Sequence, residues 1–264
     1  MKVLKPFLAC LCVGAFLLLL TGEARAVTLL DPVEGKKEAL ELVGKLLALQ
    51  PDGNATNTGV LKIRVPKQKT IEIPVEFGVL VTTTNWQNFY RAKWTNKTEE
   101  LAIIHAADGS AAYFYGSNLT HQVPILGDIP ILGHLFRSHQ VSGDQLTAPF
   151  AGSDFSIGDL GLDFLHWPAQ RVVKKEFTHE CGCSVLESLN PDPNSKGYSK
   201  VLTWFDNDSL GVVQAQAYDA KGDEVKEFHP KSLSKVNGQW QVDEIEMDNI
   251  QTGSRTVITF DVGK

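Results

Sequence analysis

Apolar and polar residues alternate along much of the chain, which is the pattern of strands that bury one face. The longest example is Ile71–Val81, where every odd-numbered position is apolar and the even-numbered positions include Glu72 and Glu76. This run predicts a long strand with one buried and one solvated face. Shorter runs predict further strands at residues 60–65, 86–94, 101–106, 111–115, 172–177, 183–189, 198–205, 212–218, 224–228, 232–236, 239–247 and 255–262.

Two local signals fix details of these strands. Asn237-Gly238 predicts a two-residue hairpin, because both residue types tolerate the positive φ that such a turn requires. Between Val242 and Ile245 the apolar positions change from even to odd numbers. We interpret that change as a β-bulge near residues 243–244.

Two segments have the pattern of helices. The first begins at Asp31-Pro32, with aspartate as the cap and proline in the first turn, and its apolar stripe continues to Leu47. The second is predicted to begin at Ser156, where a capping box with the residue three positions later is possible. It is predicted to end at Pro168.

The second helix is apolar on more than one side. Ile157, Leu160, Phe164 and Trp167 lie on one face, and two further leucines lie off this stripe. Such a helix is packed into a core, or it covers an apolar hollow as a lid. The pattern alone leaves both interpretations open.

About a dozen strands and two main helices are typical of one large antiparallel sheet with helices on one face. A β-sandwich fits the periodicity equally well.

The chain resembles the LolA-like family of exported proteins, which are often described as outer-membrane lipoprotein-sorting proteins. The resemblance rests on many short segments in order, not on a single motif: FAGSDFSIGDLGLDFLHW, QRVVKKE, CSVLESLNPDP, GYSKVLTWFD, AYDAKGDEVKEFHPKS and GSRTVITFDV. It implies a mainly β fold, a single bent antiparallel sheet that forms a half-barrel with covering helices. The hollow of such a half-barrel holds acyl chains.

Residues 1–26 have the pattern of a secretory signal peptide. Lys2 and Lys5 precede an apolar stretch, and a small-x-small sequence ends at Ala26. We therefore expect cleavage after Ala26. Together with the resemblance, this implies a periplasmic protein whose residues 27–264 form one lipid-binding domain.

Cleavage would also change the net charge. The whole chain carries −6, and residues 1–26 hold three cations and one anion, so the mature chain carries −8. An acidic protein of this kind is unsuited to a nucleic-acid partner and to simple electrostatic docking on anionic lipid.

Two groups of reactive side chains have alternative interpretations. His179, Cys181 and Cys183 would share one face of a strand and would suit a soft metal ion, but we favour a packed strand end. A disulfide between the two cysteines would close a strained ring. Ser153 with His166 has the residue types of a hydrolase, but serine at a helix start usually acts as a cap. We predict no enzyme activity, no metal and no cofactor.

We predict that acyl chains contact the inner face of the half-barrel. The predicted contact residues are Ile73, Val75, Phe77, Trp86, Tyr90, Trp94, Phe155, Leu160, Phe164 and Trp167. Core packing is the alternative for the aromatic residues. In a half-barrel the two roles merge, because the inner face is both core and cavity wall.

Residues 123–137, VPILGDIPILGHLFR, resemble a short signature of the secretins, the ring-forming outer-membrane channels. An apolar loop of this size either packs into a core or contacts an apolar partner. We predict a transient contact with the outer membrane through its apolar side chains, which are Ile125, Leu126, Ile129, Ile131, Leu132, Leu135 and Phe136. A secretin-like oligomer contact and a buried covering loop are the alternatives.

The function predicted from the sequence is that of a periplasmic carrier that sequesters lipid or lipoprotein acyl chains. A non-carrier sensor of lipid or lipoprotein, such as an envelope-stress binding protein, needs the same hollow and remains the alternative. A lipid hydrolase is a third and less favoured interpretation.

Overall fold

The structure is a computed structural model that describes residues 27–117, 139–192, 196–236 and 239–261. Within them, fourteen strands form one antiparallel sheet. The strands are β1 (Thr28–Leu29), β2 (Ala55–Arg64), β3 (Ile71–Val81), β4 (Asn85–Lys93), β5 (Thr98–Ala106), β6 (Ala111–Ser117), β7 (His139–Val141), β8 (Ala169–Thr178), β9 (Cys181–Leu189), β10 (Lys200–Asp206), β11 (Val212–Tyr218), β12 (Glu224–Val236), β13 (Gln239–Asn249) and β14 (Arg255–Phe260).

The sheet consists of two meanders joined side by side. One runs from β8 to β14 and the other from β2 to β7, and β14 pairs with β2 between them. The outer strands are β1 and β7, so the sheet is not closed. The predicted fold, a single bent antiparallel sheet with covering helices, is confirmed, and the sandwich alternative is not observed.

The first helix, α1 (Pro32–Leu47), begins as the sequence predicted. The Asp31 side chain accepts hydrogen bonds from the backbone amides of Val33 (2.8 Å) and Glu34 (3.2 Å). The helix lies close against β8 at Gly35, where a Cβ atom would be only 2.4 Å from the carbonyl oxygen of Val172. A larger residue at this position would therefore push α1 away from the sheet.

The prediction of one continuous second helix is wrong. The capping box of Ser156 and Asp159 is present, but α2 (Ile157–Leu160) is a single turn. Leu162 then has a left-handed conformation (φ 51°), and a 3₁₀ turn follows at Asp163–His166. We call residues 149–168, which contain α2 and this 3₁₀ turn, the cover segment.

A tertiary contact explains the break. The Tyr113 ring lies so close that a Cβ atom at position 161 would be 2.4 Å from its Cε1 atom, which only glycine avoids. The Tyr113 hydroxyl donates to the Gly161 carbonyl oxygen at 3.2 Å. Because this carbonyl group is hydrogen-bonded to a side chain of the sheet, α2 ends before it.

Two of the finer strand predictions are settled by the register. The bulge near residue 243 is confirmed, because Ser232 pairs with Glu244 and Leu233 with Val242, which leaves one extra residue between them. Residues 224–228 and 232–236, predicted as two strands, are one strand. The Asn237-Gly238 turn lies outside the described residues.

The apolar core has two parts on the covered face of the sheet. In the first part, β2, β3 and β5 pack against residues 146–157. In the second part, α1 and the 3₁₀ turn pack against β8 to β11. The cover segment contributes side chains to both parts, and it therefore connects the two parts of the core. Among the described residues, no helix combines the length and apolarity needed to cross a membrane.

Candidate functional site

A cavity of 270 Å³ lies between the cover segment and the covered face of β4 and β10 to β13. Its walls are mostly apolar. It is lined by Asn88, Tyr90, Phe155, Asp159, Leu160, Leu162, Phe164, Tyr198, Val201, Val212, Ala215, Ala217, Lys226, Phe228, Ile245 and Met247. Strands from both meanders contribute, as expected where one bent sheet encloses a hollow.

Tyrosine hydroxyls hold the end of α2 against the sheet. Tyr90 donates to the carbonyl oxygen of Leu160 at 3.1 Å, and Tyr113 donates to that of Gly161 at 3.2 Å. A helix end leaves such carbonyl groups without partners within the helix. The two tyrosines supply these partners and fix the height of α2 above the cavity.

Asp159 anchors the other side of α2. Its Oδ2 atom accepts from the Ser156 amide at 2.8 Å and from the Tyr198 hydroxyl at 3.0 Å, and it lies 3.4 Å from the Lys226 ammonium. Lys226 also donates to the carbonyl oxygen of Asp154 at 2.6 Å. A buried charge is tolerated when it is paired and hydrogen-bonded in this way.

Two buried carboxylates fix the start of the cover segment. Asp154 accepts from the hydroxyls of Ser254 (2.6 Å) and Thr256 (2.7 Å) at the start of β14. Glu99 accepts from the backbone amide of Ala151 at 3.1 Å. Polar bonds to the sheet therefore hold the cover segment at several points along its length.

A larger cavity of 640 Å³ lies beside the first, and its lining is more polar. Four residues line both cavities, namely Asp159, Phe164, Tyr198 and Lys226. These side chains form the partition between the two spaces.

Burial sets the protonation of the site. It raises the pKa of Tyr90 to about 12, and burial together with the Asp159 carboxylate raises that of Tyr198 well above its usual range. Burial and the neighbouring His166 lower the pKa of His105 to about 4. At neutral pH the tyrosines are therefore donors and His105 is uncharged.

The structure brings half of the predicted contact residues to these cavities. Tyr90, Phe155, Leu160 and Phe164 line the smaller cavity, and Phe164 and Trp167 line the larger one. Contact of these residues with a ligand remains a prediction.

The other predicted contact residues pack within the sheet. Ile73 and Val75 are buried in the first core, and Trp94 packs against its edge. The Phe77 ring lies 4.5 Å from that of Phe260, and the Trp86 ring stacks on His105 at 3.8 Å, measured between ring centroids. The predicted membrane-contact residues, Ile125, Leu126, Ile129, Ile131, Leu132, Leu135 and Phe136, lie outside the described residues.

Sequence reasoning missed the cavity residues of the meander that runs from β8 to β14. Ala215 and Ala217 on β11, together with Phe228 and Met247, form one wall of the smaller cavity. Lys226 is the least expected, since it is a cation on the covered face of β12. The alternation along these strands was visible, and the two small alanines facing inward were the available signal of empty space.

The candidate catalytic and metal-binding residues do not have the arrangement that their spacing in the sequence suggested. Ser153 is buried, and its hydroxyl donates to the carbonyl oxygen of Phe155 at 3.3 Å. Among the hydrogen bonds of the described residues, none joins it to His166. His179 lies in the turn before β9, where its ring is 3.2 Å from Gln214 and is not on the strand with the cysteines.

One group of side chains in the described part of the chain has the spacing of metal ligands. His229, Glu246 and Asp248 place ligand atoms within 4.8 Å of one another. Lys231 and Arg255 already pair with these carboxylates, so the local charge is balanced without an ion.

Comparison with known proteins places this architecture. A family model described as "Uncharacterized protein" matches residues 132–262. No curated protein sequence matches the chain.

Solved structures match over most of both chains. A DUF1329 family protein from Desulfovibrio piger is 18% identical with a TM-score of 0.63, and the match covers 89% of this chain and 95% of that one. A domain described as an outer membrane lipoprotein-sorting protein from Vibrio parahaemolyticus is 18% identical with a TM-score of 0.59, over 89% and 95%. A LolA superfamily protein from Nitrosomonas europaea is 16% identical with a TM-score of 0.54, over 86% and 91%.

These likenesses show the class of fold, which is the LolA-like half-barrel. The resemblance predicted from the sequence is thus confirmed at the level of the fold. The secretin-like residues 123–137 lie outside the described part of the chain.

Proposed function

We propose that this chain is an exported, periplasmic carrier that sequesters acyl chains of lipids or lipoproteins under the cover segment. The observation that supports the proposal is the smaller cavity. Apart from Asn88, Asp159 and Lys226, all of its lining residues are apolar or aromatic. Solved neighbours of this fold include proteins described as lipoprotein-sorting or LolA superfamily members, which agrees with this function.

The size of the cavity sets how much of a chain it accepts. A liquid water molecule occupies ~30 Å³, and a methylene group is of similar size, so 270 Å³ holds about nine methylene groups. At ~0.8 kcal/mol for each, their burial supplies on the order of 7 kcal/mol before the costs of binding. A longer chain requires the cover segment to move, which would open the path into the larger cavity.

The polar residues of the partition suggest the orientation of the ligand. Lys226 and Tyr198 face both cavities, whereas the alanines of β11 lie only at the apolar one. The acyl chain would therefore lie against β11, and the polar end of the ligand would extend past Lys226 into the larger cavity.

Filling the cavity tests the proposal. Ala217→Trp places an indole where the acyl chain would lie, and Gln216→Trp adds the same side chain on the opposite face of the same strand. We expect Ala217→Trp to weaken binding of a fluorescent fatty acyl probe at least tenfold, which is about 1.4 kcal/mol and less than the burial of two methylene groups. Gln216→Trp should bind like the parent.

Equal binding by the parent and both variants would contradict the proposed cavity. The same titration also tests the hydrolase alternative. We expect the probe to remain intact, and a steady release of fatty acid from phospholipid that is lost in Ser153→Ala would favour an enzyme instead. Movement of bound probe from the protein to acceptor vesicles would distinguish a carrier from a sensor, because a sensor has no need to release it.

A further inference from the structure

Cys181 and Cys183 form a close pair of thiols at the start of β9. Their Sγ atoms are 3.3 Å apart, and both cysteines are free. Only Gly182 separates them, so both side chains lie on one face of the strand. Cys183 packs there with Val185 and Trp204, on the face of the sheet opposite α1.

A tight turn holds this pair in place. Thr178 at the end of β8 pairs with Cys181, which leaves His179 and Glu180 as a two-residue turn with φ of 49° and 64°. The Thr178 carbonyl oxygen lies 3.4 Å from the Cys181 sulfur. The turn directs the His179 ring to Gln214, and within the described part of the chain no histidine joins the two thiols in a group with the spacing of metal ligands.

The two thiols differ in access to solvent. Cys181 is partly exposed, whereas Cys183 is fully buried. Burial and the adjacent Cys181 raise the pKa of the Cys183 thiol to about 12. At neutral pH Cys183 is therefore protonated and shielded, and an external reagent reaches Cys181 first.

We propose that Cys181 and Cys183 are a redox-active dithiol that exchanges with external disulfides. The Cys181 thiolate attacks one sulfur of the external disulfide, forms a mixed disulfide and releases the first thiolate. Cys183 then gives up its proton, attacks the Cys181 sulfur and displaces the second thiolate. A Cys181–Cys183 disulfide results, and two electrons have passed to the external disulfide, which leaves as two thiols.

Strand geometry makes this disulfide reversible. Residues two apart on a strand have Cα atoms ~6.6–6.8 Å apart, at the upper limit of about 6.8 Å that disulfides accept. The bond therefore closes with strain, and strained disulfides are easily reduced. The pair suits exchange with a partner disulfide better than permanent stabilisation of the fold.

Intact mass tests the proposal directly, because the chain beginning at Val27 has no other cysteine. After treatment with oxidised glutathione and then an alkylating reagent, we expect a mass lower by two hydrogens with neither thiol alkylated. Excess reduced glutathione should restore two alkylated thiols. Two alkylated thiols after the oxidising step, or a stable glutathione adduct on the parent chain, would overturn the proposal.

Single variants test the order of attack. Cys183→Ser should accumulate one glutathione at Cys181, whereas Cys181→Ser should remain unmodified because its remaining thiol is buried. The reverse result would overturn the assigned roles. Thermal melting identifies variants that fail to fold. In that case the transient adduct on the parent chain is mapped by peptide mass, and its location on Cys183 would contradict the proposal.

Discussion

Removing the two tyrosine hydroxyls that hold α2 should loosen the cover segment without emptying the core. In Tyr90→Phe/Tyr113→Phe both rings remain, and the bonds to the carbonyl oxygens of Leu160 (3.1 Å) and Gly161 (3.2 Å) are lost. Both carbonyl groups reach water when the segment opens. Each bond therefore contributes its net value, ~0.5–1.5 kcal/mol.

The pair of bonds thus accounts for ~1–3 kcal/mol of the free energy of opening. The open population should rise about 5- to 150-fold, since 1.4 kcal/mol corresponds to a factor of ten. Stopped-flow mixing with a fatty acyl probe should show association faster by a comparable factor, and hydrogen exchange of residues 157–166 should accelerate. Tyr218→Phe is the matched control, because its hydroxyl bonds to Gln216 away from the cavities.

A double variant that loses stability but keeps the parent association rate would contradict this prediction. The cover segment would then be a fixed part of the core, and ligand entry would need another route.

Three further predictions concern the core, pH and the apolar loop. Phe164→Ala should lower the free energy of unfolding in urea by ~3–5 kcal/mol, because its ring is buried in the part of the core that α1 covers. An unchanged midpoint of urea unfolding would contradict that packing. Stability should fall as pH falls from about 6.5 towards 4, since unfolded histidine binds a proton that folded His105, with a pKa lowered by burial to about 4, does not. His105→Gln should flatten this slope, and an identical slope would assign it to other groups. Replacing residues 123–136 by a short Gly/Ser linker should abolish liposome co-sedimentation without changing the melt, whereas sedimentation like the parent, or failure to fold, would argue against membrane contact.

Elements whose signals are local could be predicted from the sequence. The strand Ile71–Val81 has the predicted bounds, because every odd-numbered position in it is apolar and the opposite face carries Glu72 and Glu76. The Asp31 cap and the capping box at Ser156 were also predictable, since each depends on residues within one turn. The bulge at residue 243 was visible as a change of parity in the apolar positions.

Features that depend on distant residues could not be predicted in this way. The break after α2 requires the Tyr113 ring at Gly161, a contact across 48 positions of the chain. Lys226 lies on the covered face, where it donates to the distant Asp154 carbonyl oxygen. Its charge alone suggested that its side chain would be exposed to solvent. Strand β12 looked like two strands because Pro230 interrupts the alternation, yet Pro230 pairs with Ile245 within one strand.

Native mass spectrometry of the chain purified from a periplasmic extract tests whether acyl chains bind under the cover segment. We expect a co-purified lipid or acylated polypeptide on the parent chain, and its loss from Ala217→Trp but not from Gln216→Trp. An acylated polypeptide would favour the carrier over the sensor. A parent chain that carries no acyl ligand, or a ligand retained equally by Ala217→Trp, would contradict acyl binding under the cover segment.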